Sequence, residues 1–273
     1  MALIVPPYIL GVSVTGSLHS KEGLPCQDAC LYEIISDEFG IIAVADGLGS
    51  APFADLGSRL AVEAAVSYAK NLLMDCPEDG LDMSEIPINM LHAARQCLEG
   101  KALEEGFKLT DVATTLITVL FYRDSVYAAQ IGDGAVVAKT DGALALLCGP
   151  SNSEYANEVT PVTCSTWESN LSFAEVSSGA EHIAVFTDGC QRAALLKTVD
   201  GYTPFEKFFN PVFSYADEAD DLGGSELELG EFLLSEKISE YSEDDKTLVL
   251  AVLQGQNSHF PPKDIPSPLT GEG

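Results

Sequence analysis

Apolar runs that stop at an aspartate recur at distant points of this chain, and they limit what it can fold into. Ile41–Ala45 runs into Asp46-Gly47, Ile183–Thr187 into Asp188-Gly189, and Thr247–Leu253 starts just after Asp244-Asp245. Gln27-Asp28 is a further acidic segment beside an apolar run. Runs of Ile, Val and Ala of this length read as strands buried in a sheet. An aspartate at the end of such a strand belongs at the sheet rim. Several of these strands side by side collect carboxylates at one end, where they repel one another and call for a cation between them. The pattern predicts a site for hard, oxygen-preferring divalent metals.

The 273 residues suffice for one large domain or two small ones, and a hydrophobic content of 46% supplies a substantial core. Acidic residues number 42 against 14 basic ones, a formal charge of -28. That balance argues against nucleic acid, whose binding depends on basic phosphate contacts, and against anionic membrane surfaces. Most of the acidity reads as a solvated, soluble surface. The seven cysteines are an odd number with no CxxC pair, and the four histidines show no zinc spacing against them. Free thiols in a reducing, cytoplasmic compartment account for them. The apolar start MALIVPPYILGVSVTG lacks a basic leading region, is broken by Pro6-Pro7, and is too short for a membrane span.

Strands are expected at Tyr8–Val14, Leu31–Ile35 and Gly40–Ala45, with GSLHSKEGLPCQDAC as a loop between the first two. Helices are expected at Ala54–Met74 and Ile88–Glu104, joined by an acidic linker. Ala113–Tyr122, Ser125–Ile131, Ala135–Lys139 and Ala143–Leu147, separated by turn residues, read as an antiparallel meander. Ser151–Ser178 is polar and irregular, a flap or lid. His182–Thr187 is a strand, Cys190–Leu196 helical, Thr198–Gly224 an aromatic and then acidic insertion. Ser225–Tyr241 is helical, Thr247–Leu253 a closing strand, and Gln254–Gly273 a disordered tail. This series suggests an α+β sandwich.

Taken in order, QDA, VADGLGS, ATT, IGDG, FTDG and EDDKT resemble the motifs of the metal-dependent serine/threonine protein phosphatases, the PPM or type-2C family. Each motif alone is weak, since Asp-Gly is usually a turn; the ordered set spans residues 9–253. GSLHSKEGLPCQDA further resembles a bacterial branch in which a His and a PCQDA stretch open the domain. The resemblance implies a four-layer αββα sandwich, two antiparallel sheets flanked by helices, with residues 1–255 as the phosphatase domain and 256–273 as the tail. It implies Asp46, the carbonyl of Gly47, Asp188 and Asp244 as metal ligands. Asp28 matches an acid that binds metal-bound water, with Gln27 where many members have Glu. Asp133 matches the aspartate that in some relatives helps hold a third metal, and Thr114-Thr115 a structural stretch. Two Mn²⁺ or Mg²⁺ ions, three with Asp133, activate water for attack on phosphoserine or phosphothreonine in a protein substrate, opposing a serine/threonine kinase.

Two departures stand out. Leu48 replaces a histidine often assigned as general acid, and it cannot donate a proton. His19, on the loop before Asp28, is the nearest replacement; a surface or capping role is an equal reading. The family's phosphate-binding arginine, expected just before the QD pair, is absent, and the aligned position is near Gly23. Lys21, His19 and Arg59 are the available cations, although Lys21 reads more simply as a solvated charge. The departures motivate a rival reading, a catalytically weak relative acting as a regulatory or binding module. A third reading is action on a specific regulatory partner or a small phosphate ester. Trp167 reads as an anchor for the flap more than a substrate contact. Asp217, Glu218, Asp220 and Asp221 read as a solvated loop, and Cys26 and Cys190 as buried small residues.

Overall fold

The computed structural model describes residues 6–75, 80–150 and 159–253. The chain opens with β1 (Tyr8–Val14), α1 (Ser17–Glu22), β2 (Asp28–Ile34) and β3 (Phe39–Asp46), followed by two long helices, α2 (Ala54–Asp75) and α3 (Glu85–Glu105). Four strands follow: β4 (Leu116–Tyr122), β5 (Ser125–Ile131), β6 (Ala135–Thr140) and β7 (Ala143–Cys148). Then come β8 (Ser172–Val176), β9 (Ala180–Phe186), α4 (Asp188–Ala194), β10 (Leu195–Thr198) and β11 (Gly201–Pro204). α5 (Glu206–Asp217), α6 (Leu222–Leu234), α7 (Glu236–Ser239) and β12 (Lys246–Val252) complete it.

Two five-stranded antiparallel sheets form, ordered β2-β3-β4-β5-β8 and β1-β12-β9-β6-β7, with β10 and β11 as a separate hairpin. Successive strand residues point to opposite faces, so a fully apolar strand must be covered twice. In β3, Ile42 and Val44 pack between the sheets with Ile117, Val185 and Val249. Ile41, Ala43 and Ala45 face outward onto α2 and α3, against Ala61, Ala65, Met90 and Leu91. β12 divides likewise: Val249 and Ala251 go inward, and Leu248 and Leu250 go outward onto Phe209, Phe213 and Leu229. The result is the expected αββα sandwich. Each buried Ile, Leu or Phe contributes roughly 1.5–3 kcal/mol, so both faces of both sheets carry stability.

Several local expectations change. The meander from β4 to β7 is two hairpins in different sheets. The chain leaves the first sheet at Ile131 and enters the second at Ala135, crossing the sandwich on Gly132-Asp133-Gly134. Gly132 makes that crossing at φ +114, a conformation L side chains rarely adopt. The loop after β1 contains the short helix α1. The latter part of the flap region supplies β8 on the sheet edge, and the region read as an insertion contains β11 and α5. Phe208, Phe209, Val212 and Phe213 of α5 are buried, so its aromatics are core residues. The C-terminal segment expected to be disordered, and residues 151–158 of the flap, lie outside the described residues. Among the described residues no helix is long and apolar enough to cross a membrane.

Candidate metal centre

Antiparallel pairing explains why distant acids meet. The start of β2 lies against the end of β3, so Asp28 is opposite Asp46 in register. The end of β3 runs beside the start of β4, and the start of β4 beside the end of β5, where Asp133 follows. In the second sheet Phe186, which ends β9, pairs with both Leu248 of β12 and Ala135 of β6. Asp188 and Asp244 therefore emerge at the same rim.

The two sheets are joined there by hydroxyls. Asp28 is buried, and its Oδ2 accepts hydrogen bonds from Thr187 Oγ1 at 2.7 Å and Thr247 Oγ1 at 2.8 Å. Asp46 is held by its backbone. Its N–H donates to Thr115 Oγ1 at 3.0 Å, and its carbonyl accepts from Thr115 N at 2.8 Å and Thr114 Oγ1 at 2.9 Å. Gly47 N donates to the Gln27 carbonyl at 3.0 Å. Gly189 lets α4 start in contact with β12: a Cβ there would collide with the Asp245 carbonyl oxygen.

The carboxylates feel one another. Burial, then the charges of Asp28, Asp188, Asp133 and Asp244, push Asp46 well above the ordinary carboxylate range. Burial raises Asp28 to about 8 despite its two hydroxyl donors, with Asp245 and Asp188 adding to the rise. Burial, then Asp133 and Asp244, raises Asp188 to about 7. Asp133 is raised by burial and by Asp244. Beside them, Gln27 Oε1 is buried with no hydrogen-bond partner among the described residues. A crowded cluster of carboxylate oxygens is a donor set suited to hard divalent cations.

His19, Asp244 and Asp245 also bring one ligand atom each to within 4.8 Å of one another, a candidate site for one divalent cation. Much of this trio is already engaged. His19 Nδ1 lies 2.9 Å from Asp245 Oδ2, Gln27 N donates to that same oxygen at 2.6 Å, and Gly16 N donates to Oδ1 at 2.7 Å. Asp245 thus clamps residues 16–27 to the start of β12 and bears on Asp28, while Asp244 bears on Asp46, Asp133 and Asp188.

The sequence reading gave Asp245 no role and did not foresee the threonines. Thr187 sits inside FTDG and Thr247 inside EDDKT, so a hydroxyl residue beside each strand-end acid was the available signal. Thr114 and Thr115, read as a structural stretch of a core strand, lie just before β4 and hold Asp46 by its backbone. Leu48 packs against Ala51, Ala54 and Ala113. Lys21 pairs with Glu243 at 2.7 Å in solvent. Lys246 is only 1% exposed and donates to the Asp244 carbonyl at 2.8 Å. Trp167 is buried against the ring of His92 on α3. Asp217 bonds His182 Nε2 at 2.8 Å and so is no loose loop charge. Cys190 is fully buried, and burial pushes its thiol up.

Two antiparallel sheets between helical layers, with acids of both sheets gathered at one rim, define a PP2C-type metal-dependent phosphatase domain. The chain belongs to the protein phosphatase 2C family, whose model matches residues 15–234. It is 34% identical over 246 residues to serine/threonine-protein phosphatase 3 of Escherichia coli K12, covering 88% of this chain and 96% of that protein. Among solved structures, the fold is similar to the serine/threonine phosphatase Stp1 of Staphylococcus aureus, at TM-score 0.59 and 14% identity over 92% of this chain and 97% of that one. It is also similar to the catalytic domain of the phosphatase PstP in complex with two manganese ions, at TM-score 0.60 and 16% identity over 90% and 97% of the two chains.

Proposed function

We propose that this chain hydrolyses phosphoserine and phosphothreonine esters of proteins with the help of divalent cations. The observation that carries the reading is the convergence of Asp28, Asp46, Asp133, Asp188 and Asp244 at one rim through the strand pairing of both sheets. Asp46, the Gly47 carbonyl, Asp188 and Asp244 would be the direct ligands, with Asp28 and Asp133 completing the set and Gln27 Oε1 within reach of its edge. Two Mn²⁺ or Mg²⁺ ions are the best count, supported by the two manganese ions of the PstP structure. When bound, such ions supply Lewis acidity and an acidified water near neutral pH.

The chain's own residues do the positioning. Thr187 and Thr247 orient Asp28, and Thr114 and Thr115 fix Asp46, so the rim is preorganised before substrate arrives. The leaving serine or threonine alkoxide needs a proton that Leu48 cannot give. We assign this step to His19: Asp245 occupies Nδ1, so the proton would leave from Nε2 of the imidazolium form. The physiological partner is then a phosphorylated protein, and the opposing enzyme a serine/threonine kinase in the same cytoplasmic compartment.

The test is release of phosphate from a phosphothreonine peptide by the purified chain. Activity should appear with Mn²⁺, vanish with EDTA, and be lost in Asp46→Asn and Asp188→Asn. Unchanged turnover in both variants contradicts the reading. Leu48 favours the rival role of a regulatory module; calorimetric Mn²⁺ binding with no hydrolysis of any phosphopeptide or small phosphate ester would select it.

A further inference from the structure

The acids account for cations at the rim but leave the substrate phosphate without a protein partner. A phosphomonoester brings close to two negative charges to a surface already rich in carboxylates. The cations nearby are mostly engaged. Lys21 is paired with Glu243, Lys246 is buried on the Asp244 carbonyl, and His19 is held by Asp245. Arg59 is exposed and, among the described residues, unpaired, but the cavity of about 650 Å³ that it lines includes only one acid of the cluster, Asp28. The Asp28 carboxylate itself bonds the buried hydroxyls of Thr187 and Thr247.

Arg192 differs. It lies on α4, one turn after Asp188, and lines a second cavity of about 460 Å³ whose wall includes the cluster acids Asp188 and Asp244 together with Tyr241, Glu240 and Glu243, the last already paired with Lys21. It is exposed, and among the described residues its guanidinium makes no hydrogen bond and no ion pair within 4.0 Å. Among the described residues it is the one Lys or Arg in that wall, and its positive charge reaches Asp188. A guanidinium presents a planar fork of donors that matches two phosphoryl oxygens at once, and an unengaged one breaks no existing contact to do so.

We propose that Arg192 binds the phosphoryl oxygens of the substrate from the α4 side of the acid cluster, in place of the arginine missing before Gln27-Asp28. The proposal rests on the phosphatase reading, and its test separates the two. With Mn²⁺ present, a phosphothreonine peptide serves as substrate and inorganic phosphate as competitive inhibitor and calorimetric ligand. Arg192→Ala should raise KM and the phosphate inhibition constant roughly tenfold, with a smaller change in kcat. Arg192→Lys should recover part of the loss, and Arg59→Ala should leave both constants unchanged. Mn²⁺ affinity should not fall in Arg192→Ala, since the residue is no metal ligand.

Hydrolysis by the parent chain with KM and phosphate inhibition unaltered in Arg192→Ala overturns the proposal and spares the phosphatase. The same holds if Arg59→Ala carries the effect instead. Absence of hydrolysis in the parent chain defeats the phosphatase reading; calorimetric phosphate binding, weaker in Arg192→Ala or equal to the parent's, then decides on Arg192 by itself. Should the alanine variant fail to fold, Arg192→Gln replaces it in every arm.

Discussion

Thr187, just after the last residue of β9, donates its hydroxyl to Asp28 at 2.7 Å, across 159 residues of sequence and from one sheet to the other. A buried carboxylate oxygen is thereby paired at the point where the sheets meet. Thr187→Val keeps the shape and removes the donor, so we expect a loss of about 1–2 kcal/mol in urea unfolding and weaker Mn²⁺ binding. Thr187→Ser should retain most of both. A valine variant as stable as the parent would show that the bond carries no weight.

The acid cluster fixes how the metal-free protein responds to pH. Burial, and then the neighbouring acids, push Asp28 up to about 8 and Asp188 up to about 7 in the folded chain, against about 4 when unfolded. Between those values the folded state holds more protons than the unfolded one. The contribution of these groups is therefore fully present below about pH 4 and is lost as pH rises through their folded values. In EDTA the urea midpoint should fall between about pH 5 and about pH 8, and Mn²⁺ should restore it. Asp46→Asn, which removes one of the repelling charges, should flatten the fall. A midpoint that rises over this range in EDTA would mean that the acids are not crowded.

Gly189 tests the packing beneath the site. A methyl group there meets the Asp245 carbonyl oxygen, and backbone cannot swing aside as a side chain can. Gly189→Ala should cost about 2–4 kcal/mol and displace Asp188, so that Mn²⁺ affinity falls together with Tm. A Tm within experimental error of the parent's would argue that α4 is free to shift.

The proposed proton donation by His19 and its contact with Asp245 can be told apart by the choice of leaving group. Proton donation by a positioned side chain contributes about 100-fold or more. His19→Ala should therefore lower kcat on a phosphothreonine peptide by about that factor, and by far less on p-nitrophenyl phosphate, whose phenolate departs without a proton. Equal losses on both substrates would leave His19 as a clamp on Asp245 alone.

The fold was legible because periodicity and burial agree. β1 and β5 were placed to the residue, and β3, α2 and β12 within a residue or two, since each is long and buried on a consistent face. The sheet exchange at Gly132-Asp133-Gly134 was not legible, because a turn between apolar strands looks the same whether or not the partner strand changes sheet. α5 was missed because its Phe-rich face alternates with polar residues too briefly to separate a helix from a loop, and Pro211 lies inside it. The strand-end acids announced the site, because only a rim tolerates them. The hydroxyls that orient those acids did not, since a threonine next to a strand is common for other reasons. Arg192 carried no motif, and its reach depends on where α4 starts.

β1 and β12 are hydrogen-bonded neighbours, Tyr8 opposite Val252, and Asp244 and Thr247 arrive only with the last strand. During synthesis, then, a ribosome-tethered chain that has already made Asp28, Asp46 and Asp188 still lacks the segment that closes the ring around them. The acid cluster therefore stays incomplete until translation has passed β12.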